Sequence, residues 1–169
     1  MPDVIQPGTR LTSNLLTYRS PYVVASGSLT ANSATIGSST EVTIVTTSSA
    51  TLSVGRAYRF HFFGLVQHAT ASLTDLVYLR VRRGSNNASI RDIRSVLVAN
   101  RGTVSRNIAV DQSVICTPAA TITDTVILTA SWDSASSATF TFAATAGTPA
   151  VLTVWDVGPA SDFPGISSF

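Results

Sequence analysis

The stretch Ala57-Tyr-Arg-Phe-His-Phe-Phe63 decides the fold of this chain. Its aromatic residues at 58, 60 and 62 alternate with Arg59 and His61, a repeat of two residues. Successive side chains of a β-strand point to opposite faces of the sheet, whereas a helix repeats its apolar positions every three or four residues. The stretch therefore predicts a strand with an aromatic inner face and a polar outer face.

The same alternation recurs along residues 22–157. In residues 75–82, apolar residues at 77, 79 and 81 predict the inner face, while Tyr78, Arg80 and Arg82 predict the outer one. Later inward positions are Val126, Leu128, Ala130 and Trp132, then Phe140 and Phe142, then Leu152 and Val154. An earlier run has Val42, Ile44 and Thr46 alternating with Thr43, Val45 and Thr47.

Clusters of Gly, Ser, Asn and Pro separate these runs, as expected for turns. The spacing predicts an all-β fold, an antiparallel β-sandwich or jelly-roll-like domain of about eight to ten short strands, with a closed barrel as an alternative. Helix is nearly absent, and residues 69–73 could form one turn at most. The predicted division is an extended N-terminal arm at 1–20, a sandwich at 21–160 and a tail at 161–169.

The arm carries Pro2, Pro7 and Gly8 and lacks alternation. Such an arm is either disordered or laid across a neighbouring subunit. Leu11, Leu15 and Leu16 favour docking, because a purely disordered tail has little use for apolar side chains.

Charge is scarce in this chain. Charged residues make up 12% of the 169 residues, and the net charge is +2. A surface with so little charge is poorly protected against association, which favours a homo-oligomer over a free monomer. The positive excess is too small to indicate nucleic acid as a partner.

All eleven basic residues are arginine, and seven lie between positions 80 and 106. Arginine suits interfaces because its planar guanidinium pairs with carboxylates and stacks on aromatic rings. A subunit interface, in which these arginines pair a neighbour's carboxylates, is therefore the leading interpretation, and a solvated pair of strands is the alternative. The candidate interface residues, with the three leucines of the arm, are Tyr78, Arg80, Arg82, Arg83, Arg91 and Arg94.

No residues predict a cofactor, a metal site or an enzyme. Cys116 is the only cysteine and lies in an apolar run, so a buried thiol is expected. His61 and His68 have no acidic or sulfur residue at a ligand spacing. The nine acidic residues are scattered singly, mostly at expected strand ends and turns, where hydrogen bonds to the backbone explain them. The start lacks the pattern of a signal peptide, and no apolar run is long enough for a membrane helix.

Three segments resemble the small β-domains of actinobacteriophage virion proteins. Val54-Gly-Arg-Ala-Tyr-Arg-Phe60 resembles an aromatic strand opener of that family. Asp75-Leu-Val-Tyr-Leu-Arg-Val-Arg-Arg-Gly84 is similar to the following strand with its alternating arginines. Pro149-Ala-Val-Leu-Thr-Val-Trp-Asp-Val-Gly-Pro-Ala160 resembles the closing strand and its Gly-Pro exit.

The resemblance implies a non-enzymatic virion structural protein of a tailed phage, made in the host cytoplasm and placed on the exterior of the particle. Such domains commonly form trimers. A head decoration or minor capsid protein, bound to the major capsid protein or other virion proteins, is favoured because no shaft precedes residue 20. The alternatives are a tail fibre or minor tail protein for host adsorption, which could bind a host surface glycan, and a carbohydrate-binding β-sandwich using Tyr78, Trp132 or Trp155.

Overall fold

The computed structural model describes residues 21–37, 39–68, 74–99, 106–132 and 139–169, and most of them lie in β-strands. The strands predicted from the alternation are present, and the all-β antiparallel prediction is confirmed. Eleven strands are described: β1 Tyr22–Leu29, β2 Val42–Thr46, β3 Ala50–Leu52, β4 Arg56–His68, β5 Thr74–Arg83, β6 Ser89–Ala99, β7 Arg106–Cys116, β8 Ile122–Asp124, β9 Val126–Trp132, β10 Phe140–Ala143 and β11 Ala150–Pro159. A 3₁₀ turn at Ala160–Asp162 follows β11.

The strands form two main antiparallel sheets. In sheet A, β4 is the central strand, with β7 along one side. On its other side, β11 pairs with the first part of β4 and β10 pairs with the end of it, while β1 lies beyond β11. Sheet B has the order β2-β9-β5-β6, and β3 and β8 make a small separate pair.

The inner faces of sheets A and B pack on each other to form the core. Trp132 of sheet B stacks on Phe140 of sheet A, with ring centroids 5.2 Å apart. Phe62 meets Phe142 edge to face at 5.6 Å, and both are fully buried. These aromatic pairs join β4, β9 and β10, so the predicted inner face of the Ala57-to-Phe63 stretch is confirmed as the centre of the sandwich.

Strand β2 departs from simple alternation. Its register with β9 shifts between Thr43 and Val45, which marks a β-bulge. As a result, Ile44 and Val45 are both buried, and Thr47 after the strand is buried as well. A bulge adds one residue to one strand, so it turns two neighbouring side chains to the same side.

Strand β9 is buried on both faces. The four inward residues predicted from the sequence are buried as expected, but Ile127, Thr129 and Ser131 between them are also buried. Their burial means that side chains of neighbouring strands cover the outer face of sheet B at this point.

The edges of the two sheets meet where β1 approaches β2. Ser48, two residues after β2, donates its backbone N–H to the carbonyl of Ser26 in β1 at 3.0 Å. A Cβ on Gly27 would lie directly on the carbonyl oxygen of Thr46. Glycine is therefore required here for close backbone approach.

The segment predicted as a C-terminal tail lies against the sandwich. Thr117 and Ser168 form a parallel bridge, and Ala119 N–H donates to the carbonyl of Phe169 at 2.9 Å. The ring of Phe169 packs edge to face on Phe60 at 6.1 Å.

Some expectations fall outside the described residues: the arm at 1–20, the turn of helix at 69–73 and the side chain of Asp133. In the described part of the chain, no helix has the length and hydropathy needed to cross a bilayer.

We expect Gly27→Ala to lower the free energy of unfolding by about 3 kcal/mol, because the added methyl group must push β1 away from β2. Urea denaturation followed by tryptophan fluorescence measures the change. Gly147→Ala is the matched control, since its new Cβ would have no heavy atom closer than Thr145 Oγ1 at 4.0 Å. Equal stability of the two variants would contradict the close approach.

We expect Cys116 to be unreactive in the folded protein. The side chain is buried, and this burial raises the pKa of its thiol to about 12, although the charge of Arg91 acts in the opposite direction. At pH 8, labelling with a disulfide reagent should be more than about 1000-fold slower than in urea, because only the opened chain exposes a reactive thiol. Rapid labelling without urea would show that this part of the core is accessible.

Candidate interaction surfaces

The outer face of sheet B carries the predicted arginine strand. Tyr78, Arg80 and Arg82 share the outer face of β5 as predicted, and all three are half-buried. Nε and Nη2 of Arg82 donate to the two carboxylate oxygens of Glu41, which precedes β2. This two-pronged geometry is the strongest form of an arginine–carboxylate pair.

Arg80 extends the same cluster. Its Nη1 lies 3.1 Å from Glu41 Oε1 and donates to Ser131 Oγ at 2.8 Å. The hydroxyl of Thr129 donates to Glu41 Oε2, also at 2.8 Å. The cluster of Glu41, Arg80, Arg82, Thr129 and Ser131, here called the Glu41 cluster, therefore explains why the outer face of β9 is buried.

The cluster changes the acid–base properties of its charged members. The hydrogen bonds from Arg82 hold the pKa of Glu41 below its ordinary value of 4.5, against the opposing effect of burial. The same pairing raises the pKa of Arg82. Each ion thus stabilises the charged form of the other.

Arg83 is also paired within the chain. Its Nε donates to Asp124 Oδ2 at 3.1 Å, and the backbone N–H of Ser85 donates to Asp124 Oδ1 at the same distance. The hydroxyl of Ser85, first, and then Arg83 lower the pKa of Asp124. Backbone hydrogen bonding was the role predicted for this aspartate from the sequence, and Thr125 N–H adds another at 2.8 Å.

The arginines proposed to pair a neighbour's carboxylates therefore use acidic residues of their own chain at positions 80, 82 and 83. Arg91 is exposed on β6. The side chain of Arg94 and the residues Leu11, Leu15 and Leu16 lie outside the described parts. The sequence could not show Glu41 as the common partner, because about 40 residues separate it from β5.

A polar pocket lies where β1, β4 and β11 meet. Arg56 donates from Nε to Asp156 Oδ2 at 2.9 Å and from Nη2 to Oδ1 at 2.6 Å, and Asp156 is buried. Gly158 N–H donates to the same carboxylate at 3.0 Å. Tyr22 and Tyr58 also line the pocket, and burial raises the pKa of both phenols. The Arg56–Asp156 ion pair stabilises the C-terminal end of β11.

His61 has an acidic neighbour that the sequence did not reveal. Its Nε2 lies 2.7 Å from Oδ1 of Asp111, which is brought beside it by the pairing of β4 with β7. Within the described residues, no three histidine, cysteine or acidic side chains are grouped closely enough to hold a metal ion.

The outer face of sheet A is the second candidate surface, here called the A face. Its residues form three rows across strands β1, β11, β4 and β7. The first row is Val23, Trp155, Arg59 and Ile115; the second is Ser26, Thr153, His61 and Ser113; the third is Ser28, Val151, Phe63 and Asp111.

The A face exposes apolar side chains beside a stacked cation. The guanidinium of Arg59 lies over the Trp155 ring, 5.2 Å from its centroid, and the indole N–H donates to Thr153 Oγ1 at 3.0 Å. Phe63 and Val23 are 48% and 44% exposed. Aromatic residues and arginine, with few other charges, are the composition enriched at the centres of protein interfaces.

The three aromatic residues considered for sugar stacking differ in access. Trp132 is buried in the core, so its proposed role in sugar binding is wrong. Arg80 lies over Tyr78 at 5.3 Å, and Arg59 lies over Trp155. A guanidinium thus already stacks on each of the two remaining rings.

No protein-family model and no curated protein matches the chain. Among solved structures, the MgGH51 α-L-arabinofuranosidase bound to arabinose has a TM-score of 0.41 and 15% identity, over 88% of this chain and 25% of that one. The VP2 subviral particle of infectious bursal disease virus has a TM-score of 0.44 and 12% identity, over 92% and 41%. The chain thus spans less than half of either structure, and likenesses this distant decide nothing about function.

We expect Glu41→Gln to lower the free energy of unfolding by about 2 kcal/mol at pH 7, because two arginines lose their shared carboxylate. The lowered pKa of Glu41 means that its contribution is complete above pH 4.5 and is lost as the pH falls below that value. Urea denaturation between pH 3 and 7 should therefore show a smaller acid-induced loss in the variant. Asp162→Asn, which alters an exposed carboxylate, is the control. Identical stability of Glu41→Gln and the unaltered protein at pH 7 would contradict the role of the cluster.

Proposed function

We propose that this chain is a non-enzymatic structural protein of a tailed-phage particle, most specifically a head decoration or minor capsid protein. It binds the exterior of the shell through the major capsid protein or another virion protein and acts as a homo-oligomer. The observation that carries the proposal is the A face, an ordered sheet surface rich in apolar groups and bearing a stacked Arg59–Trp155 pair. This composition suits protein contacts.

The segments that resemble phage virion domains support the proposal by their positions. They fall on the start of β4, on β5 and on β11. These strands supply the inner faces of both sheets, including Phe60, Leu79 and Leu152, which are fully buried. The resemblance therefore concerns the centre of the sandwich.

The ion pairs formed within the chain also support the proposal, because they make the domain rigid. Arg56, Arg82 and Arg83 each hold a carboxylate of the same chain, so these cations stiffen the domain. A shell subunit gains from such rigidity, because each contact it makes is repeated many times over the particle and small contacts sum by multivalency.

The arm at 1–20 has a separate proposed role on the shell. Leu11, Leu15 and Leu16 would dock on the capsid or on a sister subunit, as the sequence predicts. Among the described members of the arginine group, Arg91 is exposed and would face the same lattice.

The test adds purified full-length protein to phage heads assembled without it. We expect saturable binding to heads, measured by co-sedimentation and visible as regular density by electron microscopy, and weaker binding after residues 1–20 are removed. Circular dichroism checks that the shortened chain is folded. Binding to tail tips or host envelopes instead would support adsorption, and tryptophan quenching by a polysaccharide would support the carbohydrate-binding alternative. Either result, or binding to none of these, would overturn head decoration.

A further inference from the structure

We infer that the A face pairs with the A face of a second copy of this chain, about a two-fold axis that runs along the middle row of Thr153, His61 and Ser113. The inference deepens the proposed function by naming a partner, and it rests on that function only for the expectation that copies assemble. It replaces the trimer implied by the resemblance with an isologous pair.

The first observation concerns the partners of Arg59. Among the described residues, no acidic side chain lies within ion-pair distance of it, whereas Arg56, Arg80, Arg82 and Arg83 each have one. Its Nε is buried against the neighbouring side chains and has no hydrogen-bond partner there. The Arg59 side chain as a whole is only half-buried, so a carboxylate of a partner molecule can approach its guanidinium from outside and form a charge-assisted pair.

The second observation is a carboxylate at the opposite end of the same face. The side chain of Asp111 is 70% exposed, and only its Oδ1 has a partner among the described residues, the ring of His61. Oδ2 is therefore available for an external donor.

The spacing of the two charges suits a two-fold contact. Arg59 pairs with Ile115 across the strands, and Asp111 lies four residues further along β7. At about 3.4 Å per residue, the backbones at the two positions are about 14 Å apart, on either side of the middle row. Rotation by 180° about that row exchanges the two ends of the face, so each Arg59 reaches the end where the other copy has Asp111.

The same rotation brings apolar groups together. The row of Trp155 and Ile115 in one copy meets the row of Val151 and Phe63 in the other. A shallow groove lined by Phe63, Leu65, Pro149 and Val151 lies at this end and is open to receive an aromatic or branched side chain. An isologous interface must be self-complementary in this way, with each patch meeting its own opposite end.

The experiment reverses each charge separately and then both together. We expect Arg59→Glu alone and Asp111→Arg alone to raise the dissociation constant of the dimer about 100-fold, because each places two like-charged pairs in the interface. The double variant should restore dimerisation, since both pairs are again opposite in sign. Sedimentation velocity over a range of concentrations measures the effect.

The matched control carries the same change in charge as Asp111→Arg at another exposed carboxylate. Asp162→Arg is in the 3₁₀ turn after β11. It should dimerise like the unaltered protein. Thermal denaturation separates loss of pairing from loss of folding, and Asp111→Arg serves if Arg59→Glu fails to fold, because Asp111 is mostly exposed.

Mixing the two single variants distinguishes a pair from a ring. In a two-fold pair, one Arg59→Glu chain and one Asp111→Arg chain match at both contacts, so native mass spectrometry should show a one-to-one heterodimer while each variant alone stays monomeric. In a ring of three, two kinds of chain cannot match at every contact. Formation of a trimer, or no association in the mixture, would overturn the inference.

The experiment can also detect whether the arm at 1–20, and not a second copy, covers the A face. If the full chain is monomeric and dimerises only when residues 1–20 are removed, the arm covers the A face and the inference is wrong. A monomer that still binds heads would leave the proposed function standing without this pairing. A charge-dependent dimer that binds no heads would support the pairing and overturn the proposed function.

Discussion

The whole structure depends on the two-residue period of β4. Its inner side chains, Tyr58, Phe60 and Phe62, form the middle of the core, and its outer side chains lie on the A face. Because β7, β10 and β11 all pair with β4, its register sets the facing direction of every strand in sheet A except β1, which is set through β11. A slip of one residue would expose the aromatic side chains and bury Arg59 and His61.

The few charged residues of this chain affect its structure through ion pairs within the chain. Glu41 takes two arginines, and Asp156 and Asp124 take one each. Since these pairs are partly or fully buried, removal of one partner costs more than the loss of an exposed pair. On the outer face of sheet B, Arg80 and Arg82 are thereby paired within the chain, while Arg59 on the A face has no carboxylate partner among the described residues.

Local alternation allowed β2, β4, β5, β9, β10 and β11 and their core side chains to be predicted from the sequence, and an apolar run indicated the burial of Cys116. It could not predict the bulge that buries both Ile44 and Val45, because a bulge depends on the register with β9. The pairs Arg82–Glu41 and His61–Asp111 were missed for the same reason. They join strands that are distant in sequence, and the order of strands in a sheet is set by packing between the sheets.

The edges of the sandwich favour association through a face. Sheet edges with unpaired backbone groups are the usual sites of uncontrolled pairing. Here β1 of sheet A contacts β2 of sheet B, and Ser26 of β1 accepts a hydrogen bond from Ser48, which follows β2. At another corner β6 contacts β7. With two corners joined in this way, addition of a further strand there is hindered, and a sheet face is left to a partner. The Glu41 cluster occupies the outer face of sheet B, so contact there would desolvate Arg80, Arg82 and their shared carboxylate. On the A face, the pair described is His61–Asp111, whose carboxylate is already mostly exposed, so contact there costs less desolvation of paired charge.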